Sequence, residues 1–131
     1  MNPFHRSAGW LLRLLVLGAA VAVLASCSHD YWARFHILTS GPGVVVNRDV
    51  IQVPLGYAVA VRATPMKDDK ELDEDVEVDL VSLNQTVLGL DHGVRDHEFV
   101  IWGAREGRTS VDVYVGGSYG EEIDAIVVPP N

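Results

Sequence analysis

The side chains that could do chemistry gather in a few places along this 131-residue chain. Residues 67–79 hold eight carboxylates, among them Asp68, Asp69, Asp73 and Asp75, together with two lysines. Carboxylates at alternate positions can gather around Ca²⁺, which takes six to eight oxygen ligands. The run lacks the central glycine and terminal glutamate spacing of an EF-hand loop. Its plainer reading is a solvated turn between two strands, with Glu77 and Asp79 on an outer sheet face. Asp91-His92 and Asp96-His97 form the second cluster. Two imidazoles and a carboxylate suit Zn²⁺ or Cu²⁺. A five-residue separation, however, puts the two rings on opposite faces of a strand. They can meet only if the loop folds back, and a surface turn is the simpler expectation. The third feature, Gly116-Gly117-Ser118-Tyr119-Gly120, matches the pattern of a hydrolase nucleophile elbow. That elbow needs a strand-to-helix turn and a downstream histidine, and no histidine follows His97. The glycines better serve a hairpin turn, which requires positive φ. No P-loop, dinucleotide fingerprint or catalytic triad is present. The expectation is a protein without enzyme activity and without a cofactor.

The lone cysteine, Cys27, has a different setting. It cannot close an intrachain disulfide or furnish a thiolate zinc site by itself. Upstream, Arg6 and Arg13 form a basic leader before the eleven apolar residues LLVLGAAVAVL, which run from Leu14 to Leu24. A bilayer-spanning helix needs about 20 apolar residues. Eleven fit the h-region of a secretory signal, and a longer span would have to incorporate Trp10, Leu11 and Leu12 across the charge of Arg13. The residues that follow, Leu24-Ala25-Ser26-Cys27, resemble the lipobox of bacterial lipoproteins. That resemblance implies removal of residues 1–26 as a signal peptide and diacylglyceryl transfer to the Cys27 thiol, usually followed by acylation of the new amino terminus. Two or more chains anchor a protein stably where one does so only marginally. Ser28 rather than aspartate after the box implies the outer membrane over the inner by analogy with enterobacterial sorting.

Composition narrows the partners. The whole chain carries 10 basic and 18 acidic residues, and the chain from Cys27 onward carries 8 and 18, for a formal charge of −10. Nucleic acids are bound through basic side chains that release counterions, so they are excluded as expected ligands. Such a field also repels polyanions and anionic head groups, which leaves cations or basic surfaces as plausible partners.

The elements that must position these residues read as strands. Tyr31 and Trp32 begin either a lipid-facing aromatic stretch or a first strand continuing through Phe35, Ile37 and Leu38. Beyond the Gly41-Pro42-Gly43 break the apolar pattern has period two, and no window of eleven residues keeps helical spacing. Strands are expected at 50–53, 57–64, 76–82, 87–90, 99–102, 111–115 and 123–128, with turn signals every 8 to 12 residues. The fold class expected is all-β: an immunoglobulin-like sandwich of seven or eight short antiparallel strands. Residues 27–46 form a lipidated tether with a possible first strand, and 47–131 form the domain.

Several pieces resemble, in order, the group 2 bacterial immunoglobulin-like domains of invasin and intimin stalks. Val50-Ile51-Gln52-Val53-Pro54-Leu55-Gly56 and Ala58-Val59-Ala60-Val61-Arg62-Ala63-Thr64-Pro65 are similar to the family's first strand, glycine turn and second strand. Residues 80–88 and 103–113 are similar to its serine turn and its late alternating strand. The resemblance spans roughly 80 of the 105 residues left after cleavage. The family commonly has a core tryptophan on its third strand. Here Leu80 stands there, so Trp102 is expected to fill that space from another strand. Residues 91–98 replace a shorter glycine turn.

The function that follows is a lipid-anchored cell-envelope protein whose domain serves as a structural or binding module, with an envelope protein or a surface glycan as partner. The alternative is a metal- or ligand-binding accessory lipoprotein using the acidic and histidine loops. The turns carrying Asp68, Asp69, Asp73 and Asp75, and Asp91, His92, Asp96 and His97, are the candidate recognition residues, because loops on a rigid sandwich present groups without disturbing its core.

Overall fold

The computed structural model describes residues 29–39 and 41–131, which contain ten strands and no helix. The signal peptide expected at 1–26 and Cys27, the expected acylation residue, lie outside the described residues. One sheet has the order β1 (Tyr31–Ile37), β4 (Ala58–Lys67), β8 (Glu98–Gly103), β7 (Leu88–His92), with the two-residue β5 (Lys70–Glu71) folding back on β4. The other runs β2 (Val45–Val46), β3 (Val50–Pro54), β10 (Ser118–Val128), β9 (Gly107–Val115), β6 (Val78–Ser82). With β1, β4, β8 and β7 in one layer and β6, β9 and β10 in the other, the strand order is that of an immunoglobulin-type sandwich.

Ten strands stand where seven or eight were expected, and the two additional short ones are β2 and β5. Both have only two residues, too few to leave a period-two signature. The pairing is also not wholly antiparallel, because β3 runs parallel to β10 over five residue pairs. The chain from β1 crosses to the second sheet before β3 begins, so β3 meets the last strand from the far side in the same direction.

The core is what alternation dictates. Ile51, Val53, Val59, Val61, Phe99, Ile101, Val111, Val113, Val115 and Ile123 are at most 1% exposed and pack between the layers. Each buried side chain of that size contributes about 1.5–3 kcal/mol. Trp102 does not fill the interior. Phe99 and Ile101 point inward, so Trp102, an odd number of residues from each, faces out. Its ring lies across Gly89 of β7, the strand neighbour with which Trp102 is in register, and Trp102 remains 37% exposed.

The stretch read as tether or first strand is a full strand. β1 pairs with β4 over seven residues, from Tyr31 opposite Lys67 to Ile37 opposite Val61, and Ala33 is completely buried. The sandwich therefore takes in residues well before 47. At Gly120, where the β9–β10 register shifts, a Cβ would sit 2.5 Å from the Tyr31 carbonyl. The absent side chain lets the start of β1 lie directly on β10.

Candidate functional site

Strand directions bring both sequence-predicted clusters to one end of the sandwich. β4 ends there at Lys67 and turns through Asp68 and Asp69 into β5. β7 arrives at His92 and turns back into β8 at Glu98. The segment before β6 bridges them. Between Glu74, Glu77, Asp79, His92, Val94 and His97 lies an open cleft of about 590 Å³. A second cleft of about 550 Å³ adjoins it, walled by Arg62, Glu71 and Arg95. The Gly116-Gly117 turn, with φ of 57° and 80° at the hairpin between β9 and β10, closes the same end, and the Gly116 amide donates to the Glu77 carbonyl at 2.8 Å. Successive positive φ angles are the signature of a two-residue type I′ hairpin. Ser118 therefore opens a strand, without the strand-to-helix turn that a nucleophile elbow needs.

The eight candidate residues share this end but not one centre. His92 packs against Phe99 with the rings tilted by 39° and their centroids 5.1 Å apart, and it stands 3.7 Å from Asp79. His97 faces elsewhere. Its backbone is left-handed, with φ of 64°, and its carbonyl accepts the Ala63 amide at 2.8 Å. Its ring Nε2–H donates to the Val76 carbonyl at 2.8 Å. One histidine thus ties β4, the β7–β8 turn and the approach to β6 together. Asp69, Asp73, Asp75, Asp91 and Asp96 are exposed, and among the described residues they pair with no basic side chain. Asp91 accepts only from the His92 amide, at 2.8 Å. Among the described residues no three His, Cys, Asp or Glu groups come together as metal ligands do. What the end offers chemically is a dense, solvated field of negative charge.

Asp68 is the exception among the acids, because it organises the amino-terminal residues. Its backbone is left-handed, with φ of 51°, a conformation in which aspartate is enriched. The Asp68 amide donates to the Asp30 carbonyl at 2.7 Å, and the Asp30 amide returns a bond to Asp68 Oδ1 at 3.0 Å. Trp32 Nε1 donates to the Asp68 carbonyl at 2.7 Å, and His29 Nδ1 lies 3.6 Å from Asp68 Oδ2. Receiving the Asp30 amide holds the Asp68 carboxyl below its ordinary pKa. Arg48 completes the group. Its guanidinium reaches Asp30 at 2.8 Å and Glu121 at 2.9 Å and lies 4.4 Å over the Trp32 ring. The hydrogen bonds it donates to Asp30 and then to Glu121 raise its pKa above the ordinary arginine value. Nothing in the sequence announces this clamp, since its partners are separated by 18, 36, 38 and 73 residues.

No protein-family model matches the chain, and no curated protein matches it. Among solved structures, domains 4 and 5 of the S-layer protein SbsC superpose with a TM-score of 0.49 at 16% identity. The match covers 72% of this chain and 54% of that one, so the chain spans about half the length of that neighbour. At that level the likeness bears on neither partner nor activity.

Proposed function

We propose that this is a lipid-anchored protein of the bacterial envelope, held at Cys27 with the outer membrane as its site, whose single immunoglobulin-like sandwich is a non-catalytic structural or binding module. The observation that carries the reading is the Leu24-Ala25-Ser26-Cys27 box standing three residues before Asp30, the residue at which the clamp begins. The first strand starts at Tyr31, so lipid and domain are joined with almost no intervening chain. Within this reading the domain is of the group 2 bacterial type, which its sequence pieces at 50–65, 80–88 and 103–113 resemble. Its partner is an envelope protein or a surface glycan.

The test is fractionation of cells expressing wild type and Cys27→Ala. Wild type should be found in the membrane fraction as the cleaved species. The alanine variant should be uncut or released as soluble protein. A Cys27→Ala chain processed and retained like wild type would contradict the proposal.

A further inference from the structure

We propose that the domain stands on the membrane on the end that carries the acidic and histidine loops, with zwitterionic lipid head groups as the partner of that end. The opposite end is then the one presented outward. This rests on the reading of Cys27 as the lipid anchor.

The length of chain before the clamp fixes the geometry. Three peptide steps separate Cys27 from Asp30, and they span at most about 11 Å when fully extended. Asp30 is bonded in both directions to Asp68 at the β4–β5 turn and paired with Arg48, which also holds Glu121 and covers Trp32. Its position on the domain is therefore set by β1, β4 and the Arg48 and Glu121 side chains, and the anchor joins the domain at this end. From this point β1 runs away toward the far end, where the Leu38 amide meets the Ala60 carbonyl. That far end carries the turns around Leu55, Asn84 and Ala104 and the carboxyl-terminal residues. β10 passes from one end to the other in 11 residues, about 36 Å at the strand rise. The far end thus lies beyond the reach of the anchor's leash, whereas the β4–β5 turn that bonds Asp30 lies within it. The β7–β8 turn faces the same way but stands further from the anchor, with His97 beside Ala63, whose β1 partner is Phe35.

Charge selects the lipid. The near end carries eight carboxylates against two lysines in residues 67–79 alone. A screening length of about 8 Å in physiological salt is comparable to the leash, so an anionic surface would push this end away. A zwitterionic surface carries no net charge to do so.

The experiment uses the acylated full protein in phosphatidylcholine vesicles containing a head-group acceptor dye. Donor dyes are placed at Val94→Cys, in the β7–β8 turn, or at Ala104→Cys, just past β8. Both positions are exposed, and the six-residue β8 separates them by about 20 Å. Acylated Cys27 has no free thiol, so wild type should float with vesicles and take no dye. Wild type that takes the dye would overturn the anchor reading and this proposal with it. With wild type floating and unreactive, energy transfer should be severalfold stronger from position 94 than from 104. Equal transfer, or the reverse order, would overturn the orientation while leaving the anchor intact. Replacing a third of the lipid with phosphatidylglycerol should weaken transfer from position 94, and strengthened transfer there would overturn the assignment to zwitterionic head groups. Arg48→Ala, which opens the clamp, should narrow the difference between the two positions in phosphatidylcholine. An unchanged difference would show that the clamp does not set the orientation.

Discussion

Arg48 and Asp68 join segments that are far apart in sequence, and each is satisfied by several partners at once. Replacing Arg48 with alanine removes two ion pairs and a cation–π contact. Exposed pairs are worth little singly but more in a network, so a loss of about 1 kcal/mol is expected. That reads as a fall in melting temperature of roughly 4–8 °C for a domain near 100 residues, measurable by thermal denaturation. Asp68 gives a pH dependence with a definite sign. Its folded pKa lies below the unfolded value because the carboxylate accepts the Asp30 amide. Its contribution is therefore complete above about pH 4, where the unfolded carboxyl ionises, and disappears as pH falls through the lower folded pKa. The protection factor of the Asp30 amide, its exchange rate relative to that of the unstructured peptide at the same pH, should fall below pH 4 and be flat from pH 5 to 7. Ser82 makes the opposite point. Among the described residues its buried hydroxyl has no hydrogen-bond partner, and an unsatisfied buried polar group is a cost. Ser82→Ala should leave the denaturation midpoint unchanged or raise it.

At the scale of elements, the legible part of the fold is the part that alternates. Val111, Val113 and Val115 read as one buried face, and the structure buries all three. β8 is legible only in part. The run from Phe99 to Trp102 reads as a strand, but four mostly apolar residues do not say which pair faces inward. Trp102 was expected to fill the core, while the register set by Val59 opposite Ile101 and Val61 opposite Phe99 turns it outward. β2 and β5 were illegible because two residues carry no period, and the parallel pairing of β3 with β10 joins residues more than 70 positions apart. At the candidate site, the grouping of acids and histidines on turns was readable. The split between His92 and His97 was not, because it depends on a left-handed backbone at His97 and on the Val76 carbonyl. The attachment of β1 is the element-level claim most open to test. Gly120→Ala would place a Cβ 2.5 Å from the Tyr31 carbonyl. Overpacking of this kind costs about 1–3 kcal/mol, and denaturant unfolding should show a loss in that range. Changes in backbone amide chemical shift should be confined to β1, β10 and the clamp.

For the molecule as a whole, the proposed account joins a lipid anchor to a rigid sandwich with almost no linker. In that proposal the acidic end, where the clamp fixes Asp30, lies toward the bilayer and the far end is presented outward. Acidity then works over distance: a formal charge of −10 after Cys27 discourages adhesion to anionic neighbours and polyanions while the sandwich supplies a stiff support. The most direct measurement is the intact mass of the protein extracted from membranes. The account predicts a chain beginning at Cys27 that carries a thioether-linked diacylglyceryl group, with or without a further acyl chain on its amino group. A membrane-extracted chain that retains residues 1–26, or that begins at Cys27 with a free thiol, would contradict it.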